Sequence, residues 1–185
     1  GFLGGFITAL IVIFSGSTNP MLICTYAALE GLAIGGLTWL FEVGLDLPGI
    51  GILAALLTFM ILAAMIAIYR AGLIRWDRNL AIAVYSSLFA IVLIYIFSIF
   101  GSITGWFHVP YIHDASPIGI AFSLFVIGIG ALCLVADFDF IERGVHMGAP
   151  KQLEWRAAFG LMVTLIWLYL EILELLAKIA IYSRK

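Results

Sequence analysis

The chain has 185 residues, 64% of them hydrophobic and 11% charged, with a formal net charge of −2. A soluble domain carries about a quarter of its residues as charges, so this balance excludes a soluble globular class and points to an integral membrane protein. The basic residues are scattered rather than clustered, which argues against a nucleic-acid partner and against a polybasic membrane-surface patch.

Uninterrupted apolar segments fall at roughly 1–15, 21–43, 49–70, 80–100, 117–140 and 155–182, separated by Pro, Gly and polar residues. They predict an all-α fold, a polytopic membrane helix bundle forming a single transmembrane domain over 1–185. Five segments satisfy the ~20 residues that a ~30 Å hydrocarbon core demands. The first is shorter and begins at Gly1 without an initiator Met, so the expectation is that a natural N-terminal portion, with a further helix, is missing from the chain.

The second segment carries Cys24, Glu30 and a Gly31/Gly35 pair four residues apart, a spacing that predicts close approach to a neighbouring helix. Gly119 and Ser123 repeat that spacing in the fifth. Leu47-Pro48-Gly49 reads as the turn that launches the third segment, and Ser116-Pro117 as an N-cap followed by Pro at the first helical position. Cys24 and Cys133 both lie in apolar runs, where a small buried hydrophobe is the expected role. The loop before the fifth segment holds His108, His113 and Asp114, read as a solvated loop rather than a metal site because no third ligand of fixed geometry accompanies the imidazoles.

Lys and Arg set the orientation. Arg70, Arg75 and Arg78 flank one loop, and Arg143, Lys151 and Arg156 flank another. The positive-inside rule therefore puts the loops near 71–78 and 142–156 in the cytoplasm. The C-terminus then lies outside, where Arg184 and Lys185 run against the rule.

The acidic residues divide by local pairing. Asp139 has Arg143 at i+4 and Glu174 has Lys178 at i+4, so each is expected to be satisfied on its own helix. Asp137 and Glu171 have only apolar, aromatic or thiol neighbours at i±4. An ionised group at bilayer depth costs at least roughly 2.5–3.5 kcal/mol, and such groups usually face a bundle interior or a water path and carry function. Asp137 and Glu171 are therefore the candidate gating residues. If adjacent, they would share a proton and titrate as a unit, a pH sensor whose oxygens suit transient Ca²⁺. Depth is an obstacle to that adjacency, since Asp137 lies near the cytoplasmic end of its segment while Glu171 is roughly 20 Å along the last one from Ala157. Glu30, likewise without a cation at i±3 or i±4, is either a third pore-lining carboxylate, with Asp139 and Glu174 as accessory groups, or a protonated packing residue.

All three histidines fall outside the apolar segments, which argues against a membrane haem and an intramembrane serine protease. No phosphate-cradling loop, zinc spacing or nucleotide fingerprint occurs. The chain is not expected to be an enzyme or to carry a cofactor.

Four runs carry a resemblance: Tyr26-Ala-Ala-Leu-Glu-Gly31, Asp137-Phe-Asp-Phe-Ile-Glu142, Gly148-Ala-Pro-Lys151, and the stretch from Ala158 through Leu168-Tyr-Leu-Glu-Ile-Leu173. They resemble the bacterial branch of the Bax inhibitor-1 family, also called the transmembrane Bax inhibitor motif proteins. The resemblance implies a seven-helix fold whose last helix is surrounded by the others, of which this chain supplies the second to seventh. It also implies a pH-sensitive calcium leak controlled by an acidic pair, and a bacterial inner (cytoplasmic) membrane. By this resemblance Asp137 matches the acid near the end of the sixth helix and Glu171 replaces a frequent Asp. Residues 1–15 lack the Arg or Lys that latches the pair in bacterial relatives. Two functions follow as expectations: a proton-gated cation leak with the bilayer, calcium and protons as partners, or a non-conducting accessory subunit of a complex such as a membrane AAA protease.

Overall fold

A computed structural model describes residues 2–104 and 115–184. These form six helices: α1 (Phe2–Ser15), α2 (Pro20–Gly44), α3 (Ile50–Arg70), α4 (Arg78–Thr104), α5 (Pro117–His146) and α6 (Leu153–Ser183), with no strand among the described residues. Helices α2 to α6 are long and apolar enough to cross a membrane, whereas α1 is shorter. His108, His113 and Asp114 lie outside the described residues.

Local chemistry starts and stops these helices. Asn19 accepts a hydrogen bond from the Met21 amide (3.0 Å) ahead of Pro20, and Ser116 accepts from the Gly119 amide (3.1 Å) ahead of Pro117. Asp77 does the same for the Leu80 amide at the start of α4 (2.8 Å). In each case a side-chain oxygen satisfies an orphan N–H of the first turn. At the other ends, α3 and α5 finish on Gly72 and Gly148, whose φ angles are +69° and +61°. The left-handed residue lets the amides of Leu73 and Ala149 fold back onto the carbonyls of Ile68 and Gly144, a closure that glycine adopts without steric penalty.

Helix α6 is the hub. It packs against α2, α3 and α5, and side chains extend its contacts to α4 through Tyr95 and Glu171. The largest apolar cluster joins α3, α5 and α6 through Ala54, Met65, Leu134, Val135, Leu168 and Ile172. A second joins Val12, Ile23, Tyr26 and Phe159, with the Tyr26 and Phe159 rings edge to face at 5.0 Å. Outside these clusters large side chains such as Ile52, Phe59, Phe89 and Phe97 are exposed on the perimeter. Such a surface would be an aggregation patch in water but matches hydrocarbon. The chain is a multi-pass helical membrane protein.

Successive helices run antiparallel and collect one set of ends together. Tyr69 at the end of α3 donates to Glu142 at the end of α5, and a Cβ on Gly16, after α1, would stand 3.4 Å from Arg156 at the start of α6. Most of the cations gather at this end. At the opposite end Arg184 donates to the carbonyls of Leu45 (2.9 Å) and Asp46 (2.8 Å) in the α2–α3 turn. That contact gives the C-terminal arginine a structural role of its own, beyond the charge count that made it an exception.

The glycine spacing misleads in α2. Gly31 and Gly35 are exposed, and a Cβ on either would meet nothing within 4 Å, so this pair is no packing seam in the structure. The close approaches occur elsewhere. Gly130 of α5 faces Leu168 and Trp167 of α6, where a Cβ would lie 2.7 Å from Leu168 Cδ2. Ser123, by contrast, is buried and does meet α6.

Candidate functional site

The contacts between α5 and α6 fix their relative register. Ser123 meets Lys178, Gly130 faces Trp167 and Leu168, and Asp137 Oδ1 lies 3.5 Å from the position of a Cβ on Gly160. Asp137 is half-buried there, and the Thr164 hydroxyl is the polar side chain interacting with its carboxyl. The second oxygen, Oδ2, is buried with no hydrogen-bond partner among the described residues. Buried polar atoms are almost always paired, so this oxygen marks a place where the protein alone leaves a strong acceptor unmatched.

Glu171 occupies a different level. Thr164, beside Asp137, is two turns before Glu171 on α6, which at 1.5 Å per residue is about 10 Å along the axis. The structure therefore does not bring the two carboxylates together as a proton-sharing pair. The reason lies in the register: Asp137 belongs to the last third of α5 and meets α6 at Gly160 and Thr164, while Glu171 stands level with the middle of α5, between the Gly130–Leu168 and Ser123–Lys178 contacts.

Partners for Glu171 come from two helices. The Tyr95 hydroxyl of α4 donates to Oε1 at 2.8 Å, and the Trp167 indole, one turn earlier on α6, donates to the same oxygen at 3.1 Å. Glu171 is 6% exposed. One and two turns further along, Glu174 and Lys178 act on it electrostatically. Lys178, 3% exposed, pairs with Glu174 at 2.8 Å and donates to Ser123 Oγ at 2.8 Å. So Glu171 has a cation within electrostatic reach along its own helix after all, two turns away, because a lysine stem is long enough to fold back.

The other acids take separate places. Asp139 forms its i+4 ion pair with Arg143. Glu30 lies against α1, its carboxylate filling the space above Gly5, at the α1–α2 contact and one turn from Tyr26. Cys24 is exposed and Cys133 half-buried, both as free thiols, so only Cys133 approaches the buried role read for the pair. Among the described residues no group of three His, Cys, Asp or Glu side chains is disposed to hold a metal ion. His146 ends α5 rather than standing in a loop, because that helix runs six residues past its apolar segment.

Sequence reasoning pairs Lys178 with Glu174, as the structure has it, but passes over Tyr95 and Trp167 as donors to Glu171, Thr164 beside Asp137, and Ser123 as the second contact of Lys178. Trp167 stands at i−4 from Glu171 and was available from spacing alone. Tyr95, Ser123 and Thr164 act across helix contacts, and no single-helix pattern reveals them.

Chemically, the centre of the bundle offers two carboxyl stations along one helix seam, one with an unmatched oxygen and one held by an aromatic pair beside a buried ammonium. No curated protein and no solved structure matches the chain. The family model described as Bax inhibitor 1 like matches residues 1–181, nearly its whole length, and the chain belongs to that family.

Proposed function

We propose that this protein is a pH-sensitive cation leak, with Ca²⁺ the transported ion, in a bacterial inner membrane, and that Asp137 and Glu171 are its controlling groups. The observation that carries the reading is the buried, unmatched Oδ2 of Asp137, at the end of the α5–α6 seam that the positive-inside rule assigns to the cytoplasm. A carboxylate there attracts a cation and supplies a hard oxygen ligand. Glu171, about 10 Å further along, provides the next station. Because the two carboxyls occupy different levels, control is exerted at each station by its own protonation, and a shared proton is not required. Protonation removes the charge that draws the cation in, so flux rises with pH. The activity is transport, with no catalytic step.

A second reading has one observation in its favour. Hydroxyls on the outer helices are consumed by their own backbones: Thr58 donates to Ala54 O (2.8 Å) and Ser86 to Ala83 O (3.1 Å). Such helices contribute little to a wet path and suit a non-conducting accessory subunit of a membrane complex, such as one containing a AAA protease. Reconstitution separates the two. Liposomes holding the parent are expected to take up Ca²⁺ faster as pH rises from about 5 to about 8, and the Asp137→Asn/Glu171→Gln double variant to lose that dependence. A double variant with the parent's pH profile overturns the leak reading, and absence of flux from every vesicle, with copurification of a larger complex, installs the second.

A further inference from the structure

Two hollows lie along one side of α6. At the cation-rich end of the bundle, the α1–α2 turn and the start of α6 border a cavity of about 740 Å³ whose lining includes Ser17, Asn19, Lys151, Glu154 and Trp155. The second, of about 400 Å³, is a groove between α2 and α3 floored by α6 from Ala158 to Tyr169, with Ile34 and Phe59 on its walls. Trp155, Ala158 and Met162 follow one another at spacings of three and four residues, which puts them on one face of the helix. The groove therefore begins about one turn below the cavity, on the same side of α6.

The two hollows differ in chemistry. Lys151 lines the cavity, and Arg156 reaches its edge, with Nη1 3.4 Å from the position of a Cβ on Gly16. Neither cation has an ion-pair partner among the described residues, and Glu154 is the single carboxylate on the lining. Ser17 Oγ accepts the Asn19 amide at 3.2 Å and Asn19 Oδ1 accepts the Met21 amide at 3.0 Å, which leaves the Ser17 hydroxyl proton and the Asn19 side-chain amine as donors. Two cations and two neutral donors suit an anion with several acceptor oxygens. In the groove, by contrast, the hydroxyl of Thr58 donates to Ala54 O and that of Tyr169 bonds to Thr38, so the walls present hydrocarbon.

We propose that cavity and groove together bind one anionic phospholipid, its phosphate held between Lys151 and Arg156 and one acyl chain lying on α6 between α2 and α3. The dimensions agree with that occupant. From Ala158 to Tyr169 the groove runs about 16 Å at 1.5 Å per residue, close to half of a ~30 Å hydrocarbon core, which is the depth one leaflet's chain fills. Basic pockets between helix ends at the membrane surface recognise phospholipid headgroups, and Trp155, 39% exposed, stands where aromatic side chains meet the headgroup level. A free phosphate shares the headgroup's chemistry but has no use for the groove.

The test uses the full chain purified in detergent and three probes: phosphatidylglycerol, phosphatidylcholine with the same acyl chains, and inorganic phosphate. Phosphatidylglycerol is expected to raise the unfolding temperature by several degrees, at least twice the rise given by phosphatidylcholine, and native mass spectrometry to find it retained on the chain. Inorganic phosphate, which leaves the groove unfilled, is expected to give less than half that rise. The Lys151→Gln/Arg156→Gln double variant should respond to phosphatidylglycerol no more than to phosphatidylcholine, whereas Arg75→Gln, which removes a cation outside the cavity lining, should keep the parent's response. Ala158→Trp places a ring in the groove from an exposed position and is expected to halve the response at least. Should that variant fail to fold, phosphatidylglycerol with short acyl chains replaces it and is expected to stabilise the parent less than half as much as the long-chain lipid. Equal responses to the two lipids in the parent, a double variant that behaves like Arg75→Gln, or an Ala158→Trp response equal to the parent's overturns the proposal. Inorganic phosphate that reproduces the whole rise overturns it as well and assigns the cavity to a free anion.

Discussion

Gly130 offers the sharpest test of the α5–α6 register. Replacing it with Ala adds one Cβ at 2.7 Å from Leu168 Cδ2, 3.2 Å from Leu168 Cγ and 3.4 Å from Trp167 Cζ3. The Cγ contact is decisive, because Leu168 is fully buried and its branch point cannot retreat by a rotamer change alone. Overpacking of this kind costs about 1–3 kcal/mol, while Gly to Ala inside a helix returns roughly 1 kcal/mol. Gly128, one residue pair away on the exposed side of the same helix, has nothing within 4 Å of a Cβ and receives the propensity gain without the clash. The difference between Gly130→Ala and Gly128→Ala cancels propensity and isolates packing, so the first should be the less stable by about 1–3 kcal/mol. Equilibrium unfolding in mixed micelles, with helicity as the readout, measures it. Equal stabilities would refute the close approach of α5 to α6 at this level, and with it the register that separates Asp137 from Glu171.

Tyr95→Phe removes one of the two donors to Glu171 Oε1 and should lower stability by about 1–2 kcal/mol, read by the same unfolding assay. Arg143→Ala should change stability by less than about 0.5 kcal/mol, since the Arg143 side chain is 60% accessible; a larger loss would mean that Asp139 is more than a locally paired acid. Arg184→Ala frees the Leu45 and Asp46 carbonyls, and is expected to speed amide exchange or protease cleavage in the α2–α3 turn while leaving the α5–α6 seam unchanged. Asp46 itself holds a φ of +52°, so Asp46→Gly should be neutral or stabilising by up to about 1 kcal/mol and Asp46→Val destabilising.

Much of the fold is legible because the physics is local. Ser116 and Pro117 announce the start of α5, and the i+4 pairs Asp139–Arg143 and Glu174–Lys178 form as spacing predicts. The site is legible only in part. Asp137 and Glu171 stand out as acids in apolar segments, but their relation depends on how far α5 slides along α6, and a sequence of nearly uniform hydropathy does not encode that slide. The same uniformity hides which side of α2 faces inward, so Gly31 and Gly35 look like a seam and turn out to face the perimeter. Lys178 is half legible: its pairing with Glu174 is a matter of spacing, its hydrogen bond to Ser123 a matter of tertiary packing. The roughly 20 Å between Ala157 and Glu171 along the last helix is the one hint in the sequence that the two acids belong to different levels.

The central claim is that Asp137 and Glu171 are two separate stations on one cation path. Its most direct test is Ca²⁺ uptake into proteoliposomes stepped from about pH 5 to about pH 8, with Asp137→Asn and Glu171→Gln measured singly beside the parent. Flux that rises with pH in the parent, with each single variant changing the profile in its own way and keeping part of it, is the result predicted. Two single variants with identical profiles, each already as flat as the double variant, would contradict it and mark the acids as one coupled pair.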